Sequence, residues 1–191
     1  SLMAYSRPRA GGIHAIKLDE GDELINAALT GGDHHIIIAT KKGLAARFHE
    51  KDARELGRVS RGVRGIRLGA GDEVVGMIVA DPTEVVEKTI LTVTANGYGK
   101  RTKIDEYRLI KRGGKGVINI QTSDRNGEVV SVKAVDGETG LLLISKNGIT
   151  IRTRSDQISI IGRNTQGVRL MNLKGADDAV VSCAVVARED D

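Results

Sequence analysis

The sequence predicts an all-β, propeller-like fold with blades of about four strands, and three observations carry the prediction. A glycine-led motif recurs roughly every fifty residues, a turn-like dipeptide follows it in fixed phase, and the apolar residues are overwhelmingly aliphatic. Among 191 residues there are 19 Ile, 18 Val and 14 Leu, but one Phe, three Tyr and no Trp. Twenty-four glycines against two prolines point to many tight turns between short elements. No apolar run approaches the roughly 20 residues of a membrane-spanning helix, and nothing reads as a secretory leader. The lone Cys183 excludes an internal disulfide framework and suits a reducing cytoplasm.

The leading motif, Gly-(Ile/Val)-x-x-(Ile/Met), begins at Gly12, Gly62, Gly116 and Gly167, at spacings of 50, 54 and 51. Lys42-Gly43, Asn96-Gly97 and Asn147-Gly148 follow, and each of these turn glycines stands 19 residues before the next leading glycine. Four residues beyond them stand Arg47, Arg101 and Arg152. Offsets kept in step three times mark a structural repeat. β-rich runs flank each dipeptide, as in Thr89–Thr94 before and Tyr98–Thr102 after, so each reads as a hairpin, with Asn-Gly predicting a type I′ turn. A second strand pair is expected over Gly12–Leu29, Gly62–Val79 and Gly116–Val135, joined at the acidic turns Glu20-Gly21-Asp22, Gly71-Asp72-Glu73 and Asn126-Gly127-Glu128. Asp52–Leu56 is the one short run with helical character. The chain then divides as one domain over 1–191, with units at about 11–61, 62–115 and 116–166 and a remnant at 167–188. Three units and a remnant are few for a closed propeller, so the chain reads as part of a larger protein, with Ser1-Leu2 a cloning remnant.

The net charge of +4 is small, but its distribution is not even. Residues 43–67, 97–121 and 148–172 carry net +4, +5 and +3, whereas the remaining 116 residues carry −8. Basic charge thus recurs at one phase of the repeat, and in a radial array one phase maps to one band around the body. A band of Lys and Arg is what sequence-independent binding of duplex DNA requires, because it displaces counterions from phosphates. Scarce aromatics argue against single-strand binding, and no recognition helix offers base readout. The expected phosphate track is Arg47, Arg58, Arg61, Arg64, Lys100, Arg101, Lys103, Lys111, Arg112, Lys115, Arg152, Arg154, Arg163 and Arg169. A basic disc that binds an acidic protein is the alternative from another class.

Three segments carry a resemblance that covers about Ala10 to Arg188: Ser60–Leu68, Ala95–Thr102 and Ile158–Val168. They resemble the C-terminal domain of bacterial DNA gyrase A, with the equivalent domain of topoisomerase IV as the nearest rival. The resemblance implies a β-pinwheel whose neighbouring blades exchange strands. It also implies DNA wrapped on the basic perimeter, in support of ATP-dependent negative supercoiling by the whole type II topoisomerase. The implied partners are duplex DNA, the remainder of gyrase A, and gyrase B. The implied setting is the bacterial cytoplasm at the nucleoid. Residues 110–116, Ile-Lys-Arg-Gly-Gly-Lys-Gly, match five of seven positions of the family's basic box, Gln-Arg-Arg-Gly-Gly-Lys-Gly. The family carries that box on its first blade, so Lys111, Arg112, Gly113, Gly114, Lys115 and Gly116 read as a box-like copy in a later one.

Catalytic chemistry is not expected. His34 and His35 are adjacent in a strand and point to opposite faces, so they cannot share a metal, and one cysteine makes no zinc site. Gly116 stands where a P-loop needs Ser or Thr. Cys183 lies in the apolar run Val180–Val186 and reads as buried, the acidic turns read as turn chemistry, and Tyr98 reads as a packing residue. No nucleophile–base pair or carboxylate dyad appears. The chain is expected to be non-catalytic and to need no cofactor or metal.

Overall fold

Each predicted hairpin forms. A computed structural model describes residues 2–175 and 177–186; Ser1 and the end of the fourth unit lie outside them. β1 (His35–Thr40) turns into β2 (Leu44–His49), β4 (Thr89–Thr94) into β5 (Tyr98–Lys103), and β8 (Gly140–Ser145) into β9 (Thr150–Arg154). The turns are not type I′. No described non-glycine residue has a positive φ, whereas Gly43, Gly97 and Gly148 sit at +83°, +80° and +81°. Each glycine N–H closes the turn onto Thr40, Thr94 or Ser145 three residues back. These are therefore three-residue loops closed by a left-handed glycine, which leaves Asn96 in an ordinary conformation. Its amide instead donates to the carbonyls of Asp124 and Arg125.

The remaining strands are distributed differently from the repeat. β3 (Val74–Ala80), β7 (Val129–Val135) and β11 (Val180–Val186) pair with the first strand of a hairpin, and β6 (Val117–Ile118) and β10 (Val168–Arg169) with the second. The orders are β3-β1-β2-β6, β7-β4-β5-β10 and β11-β8-β9. A fifty-residue unit is therefore not a blade. The first sheet takes its hairpin from the first unit, β3 from the second and β6 from the third. The second sheet repeats that pattern one unit later. This is the strand exchange of a pinwheel, visible in the pairing itself. The strand pairs predicted over Gly12–Leu29, Gly62–Val79 and Gly116–Val135 do not form. Residues 6–34 contain no strand, 62–79 contribute β3 alone, and β6 and β7 join different sheets, because each of these strands pairs with an earlier hairpin and not with its neighbour in sequence. Residues 53–56 of the run Asp52–Leu56 are not helical; the 3₁₀ turn lies just before them at Glu50–Asp52 and is repeated at Ile104–Glu106 and Ser155–Gln157.

The cores lie between sheets. One joins Ile37, Ile78, Ile90, Ile104, Tyr107, Ile120 and Val132; the next joins Leu91, Val93, Leu141, Leu143, Met171 and Cys183. β4 feeds both, which is why Thr89–Thr94 is buried at every position instead of alternating. Cys183 is buried, and burial pushes its thiol up to about 11. A polar link crosses the first core: Asn119 Oδ1 accepts from Tyr107 at 2.5 Å and from Thr92 at 3.2 Å. β7 packs between β3 and β11, so β3, β7 and β11 line the inner side while β6 and β10 lie at the rim.

Backbones approach closely where a crossing strand meets a hairpin. A Cβ on Gly116, at φ +81°, would stand 2.5 Å from the Ala45 carbonyl oxygen; one on Gly148, at the same φ, would meet nothing within 4 Å. Gly148→Ala is therefore expected to cost only left-handed strain, about 1 kcal/mol. Gly116→Ala must also displace β6 from β2 and is expected to cost about 3 kcal/mol or more. Urea unfolding of the two variants measures the difference, and equal losses would mean that the β6–β2 contact yields freely.

Candidate nucleic-acid interface

The basic residues of the repeat separate into four groups once their partners are known. Arg47, Lys100 and Arg101, on the second hairpin strands, are buried. Arg47 donates to the carbonyls of Ile104 at 3.0 Å and Tyr107 at 3.2 Å, and to His35 Nδ1 at 2.8 Å. Arg101 Nε donates to Ile158 at 2.8 Å. Lys100 Nζ donates to Gly162 at 2.6 Å and Arg163 at 2.7 Å. Burial pushes the Lys100 ammonium down to about 8, against the pull of Glu106 and with the help of Arg163. These three expected phosphate contacts are corrected: their charge satisfies carbonyls of the next crossing segment, and burial keeps them from a ligand at the surface.

A second group forms a ladder. Arg58, Arg112 and Arg163 each stand four residues before a leading glycine. Each donates from a terminal guanidinium nitrogen to the residue two beyond the previous leading glycine: His14 at 2.9 Å, Arg64 at 3.0 Å and Ile118 at 2.7 Å. Arg112 Nε also reaches the Asp52 carbonyl at 2.6 Å, and the Arg163 guanidinium lies 5.8 Å from the Tyr107 ring centroid. The ladder ties each crossing segment to the one before it. Its signal is present in the sequence as a constant offset, but there it reads only as positive charge.

A third group is engaged at the surface: Arg61 pairs with Asp19 at 3.1 Å, Arg154 with Asp156 at 2.5 Å, and Arg169 donates to the Tyr98 hydroxyl at 2.6 Å. Arg152 is exposed on β9.

The fourth group is open. Arg64, Lys103, Lys111 and Lys115 are exposed, and their side chains make no hydrogen bond or ion pair to described residues. The box-like loop brings three of them together. Gly113 N donates to the Gly65 carbonyl at 2.6 Å and Arg67 N to the Gly114 carbonyl at 2.8 Å, so residues 112–114 run alongside 64–67. Arg64, Arg67, Lys111 and Lys115 flank that backbone pairing, and Arg112 donates to the carbonyls of Asp52 and Arg64. Arg54, Arg67 and Arg108 are further exposed cations, within the basic windows of the repeat but outside the fourteen residues named for the track. Arg7, Arg9 and Arg58 also line one cleft with His14, outside the periodic windows except for Arg58.

The acidic turns face the hairpin loops. Asp72 accepts from the Lys42 amide at 2.9 Å and from Glu73 N at 3.0 Å, and Asp178 accepts likewise from Asn147 and Ala179. Lys41 lies 3.5 Å from both Glu73 and Glu128. No group of three His, Cys, Asp or Glu able to hold a metal occurs among the described residues. No described helix is long and apolar enough to cross a membrane.

Repeated hairpins whose sheets are completed by strands from later units define a propeller-like β domain of the pinwheel class. The chain belongs to the DNA gyrase C-terminal domain, beta-propeller family, which matches residues 4–30, 34–81, 88–136 and 141–187. DNA gyrase A of Haloquadratum walsbyi is 44% identical over 191 residues, covering 100% of this chain and 22% of the relative. That of Staphylococcus epidermidis is 46% identical over 191 residues, covering 100% and 21%. The chain thus spans about a fifth of these relatives. Among solved structures, a DNA gyrase A C-terminal domain matches with a TM-score of 0.81 at 31% identity, covering 93% of this chain and 59% of the other. The C-terminal domain of a DNA topoisomerase IV superposes with a TM-score of 0.89 at 21% identity, covering 97% and 57%, which shows the shared fold.

Two outcomes test the structural cations and the histidine beside them. Arg163→Ala removes one charge-assisted bond and is expected to lower stability by about 1.5–3 kcal/mol in urea unfolding; an unchanged midpoint would remove the ladder from the account. Burial first, then Arg47 and His49, hold the His35 imidazole below its ordinary value, with Asp33 opposing. Below about pH 6.5 the unfolded chain therefore takes up a proton that the fold resists. His35 is expected to reduce stability progressively as pH falls through that value, and His35→Gln should flatten this part of the profile.

Proposed function

We propose that this chain binds duplex DNA through the phosphate backbone, without sequence preference, along its outer rim. The observation that supports this most directly is the cluster of Arg64, Arg67, Lys111 and Lys115 on two crossing segments hydrogen-bonded side by side. Four exposed cations held by a rigid backbone pairing, with no described acid paired to them, attract a polyanion without first breaking ion pairs. Glycines at 113 and 114 keep the loop low, so the flanking side chains reach outward and a phosphate backbone can come near.

Exposed cations recur along the repeat, with Lys103 at the end of β5 and Arg108 after it, Arg152 and Arg154 on β9, and Arg61 just ahead of Gly62. Arg154 and Arg61 share their charge with Asp156 and Asp19. A duplex following them must curve around the disc, so binding and bending are one event. Arg47, Lys100 and Arg101, with the ladder arginines, fix the segments that carry these cations. In this reading the chain is a non-catalytic DNA-wrapping part of a type II topoisomerase. Its partners are the remainder of gyrase A and gyrase B, it needs no cofactor of its own, and it acts in the cytoplasm at the nucleoid. Presenting a wrapped crossover for strand passage is how it would support ATP-dependent negative supercoiling.

The test is a salt titration of affinity for a random-sequence duplex of a few helical turns. The wild type is expected to give a steep log–log slope, and Arg64→Ala/Lys111→Ala/Lys115→Ala one shallower by about 2–3, at roughly 0.9 per phosphate contact. A slope that is flat in the wild type would overturn duplex binding and favour an acidic protein as ligand.

A further inference from the structure

The second sheet carries a basic feature that does not follow the repeat. Tyr98, the first residue of β5, is 5% exposed. The Arg169 guanidinium lies 4.7 Å from its ring centroid and that of Arg125 5.1 Å. Arg169 donates to the phenol oxygen at 2.6 Å, and Arg125 lies 3.5 Å from Gln166 Oε1. Arg169 comes from β10 and Arg125 from the loop that precedes β7, so two consecutive units supply one side each. Both arginines are exposed, and neither pairs with a carboxylate of the described residues. Two other exposed arginines, Arg61 and Arg154, are by contrast paired with Asp19 and Asp156.

Two like charges held against one ring repel each other, and nothing described offsets them. Their field acts on whatever stands between them. The phenol shows this: the hydrogen bond from Arg125, then the charges of Arg169 and Arg125, draw the Tyr98 hydroxyl below its ordinary value against the opposing effect of burial. A bound anion would meet the same stabilisation.

Resting on duplex binding by the rim, we propose that Arg125, Tyr98 and Arg169 form a phosphate clamp that holds one backbone phosphate of the duplex beyond the box-like loop. The guanidiniums donate to its oxygens, and the Tyr98 ring keeps both arginines in place by cation–π contact. Arg125 belongs to an acidic-turn segment, and the feature has no counterpart in the first sheet, where Leu44 and Ile118 occupy the equivalent places. It therefore gives the rim a local grip as well as a continuous track.

The experiment uses the full chain, a random-sequence duplex of about four helical turns, and tyrosine labelled with carbon-13 at Cζ. The three tyrosine signals are assigned by Tyr98→Phe, and Lys133→Gln serves as a surface control on the inner strand β7. The clamp predicts that Arg125→Gln/Arg169→Gln makes the salt slope shallower by about 0.9, one phosphate's worth, while Lys133→Gln leaves it unchanged. It also predicts that the Tyr98 signal of the wild type moves on adding duplex. The latter reading needs no arginine variant and stands even if the double variant unfolds. Steep wild-type binding with an unchanged double-variant slope and a stationary Tyr98 signal would overturn the clamp and leave rim binding intact. No wild-type binding at low salt would overturn both.

Discussion

The structure depends on a backbone-to-backbone contact: a crossing strand laid against the turn and second strand of a hairpin that precedes it by two units. Gly43 O accepts from Asn119 N and Ile120 N, and Gly97 O accepts from Leu170 N and Met171 N. At Gly43 and Gly97 a Cβ would stand 2.2 and 2.4 Å from the carbonyl oxygens of Ile120 and Met171. Only glycine permits that approach and the positive φ together. The final Ile or Met of the repeat motif is then driven into the core, where Ile120 and Met171 are each 1% exposed. The motif Gly-(Ile/Val)-x-x-(Ile/Met) is thus the sequence form of one docking event.

That docking creates a problem which the arginines solve. A strand of two residues cannot satisfy the carbonyls of the ten or so residues leading to it, and a carbonyl left unpaired on leaving water costs about 1–3 kcal/mol. Arg47, Lys100 and Arg101 supply donors from below, and Arg58, Arg112 and Arg163 supply them from the following segment. Long cationic side chains suit this work because one guanidinium serves two or three acceptors at fixed angles. The same repeat phase therefore contains two populations of positive charge, one structural and one open at the surface. Function is proposed for the second, but its geometry is set by the first.

This division also explains why the box-like loop is informative. Its arginine belongs to the ladder and its two lysines to the rim, so one heptapeptide both joins neighbouring segments and displays charge. Matching it to a basic motif by residue type alone assigns all three cations one role, whereas the Arg112 contacts to Asp52 and Arg64 separate them.

The repeat period, the hairpins, the aliphatic core and the phase of the basic charge are all legible in the primary structure, because glycine spacing and residue type are local properties. The ladder is written there too, as the constant offset of Arg58, Arg112 and Arg163 from the following glycines. That a unit is not a blade emerges only on folding, since the partner of a short strand is chosen by contacts between distant units, as between Gly97 and Met171. Turn type likewise waits for the fold, because the loop length that fixes Gly97 at the closing position depends on strand register. Folding also sorts Lys100 from Lys111. A cation looks the same in a sequence whether its charge meets a buried carbonyl or water, and burial is a property of the whole chain.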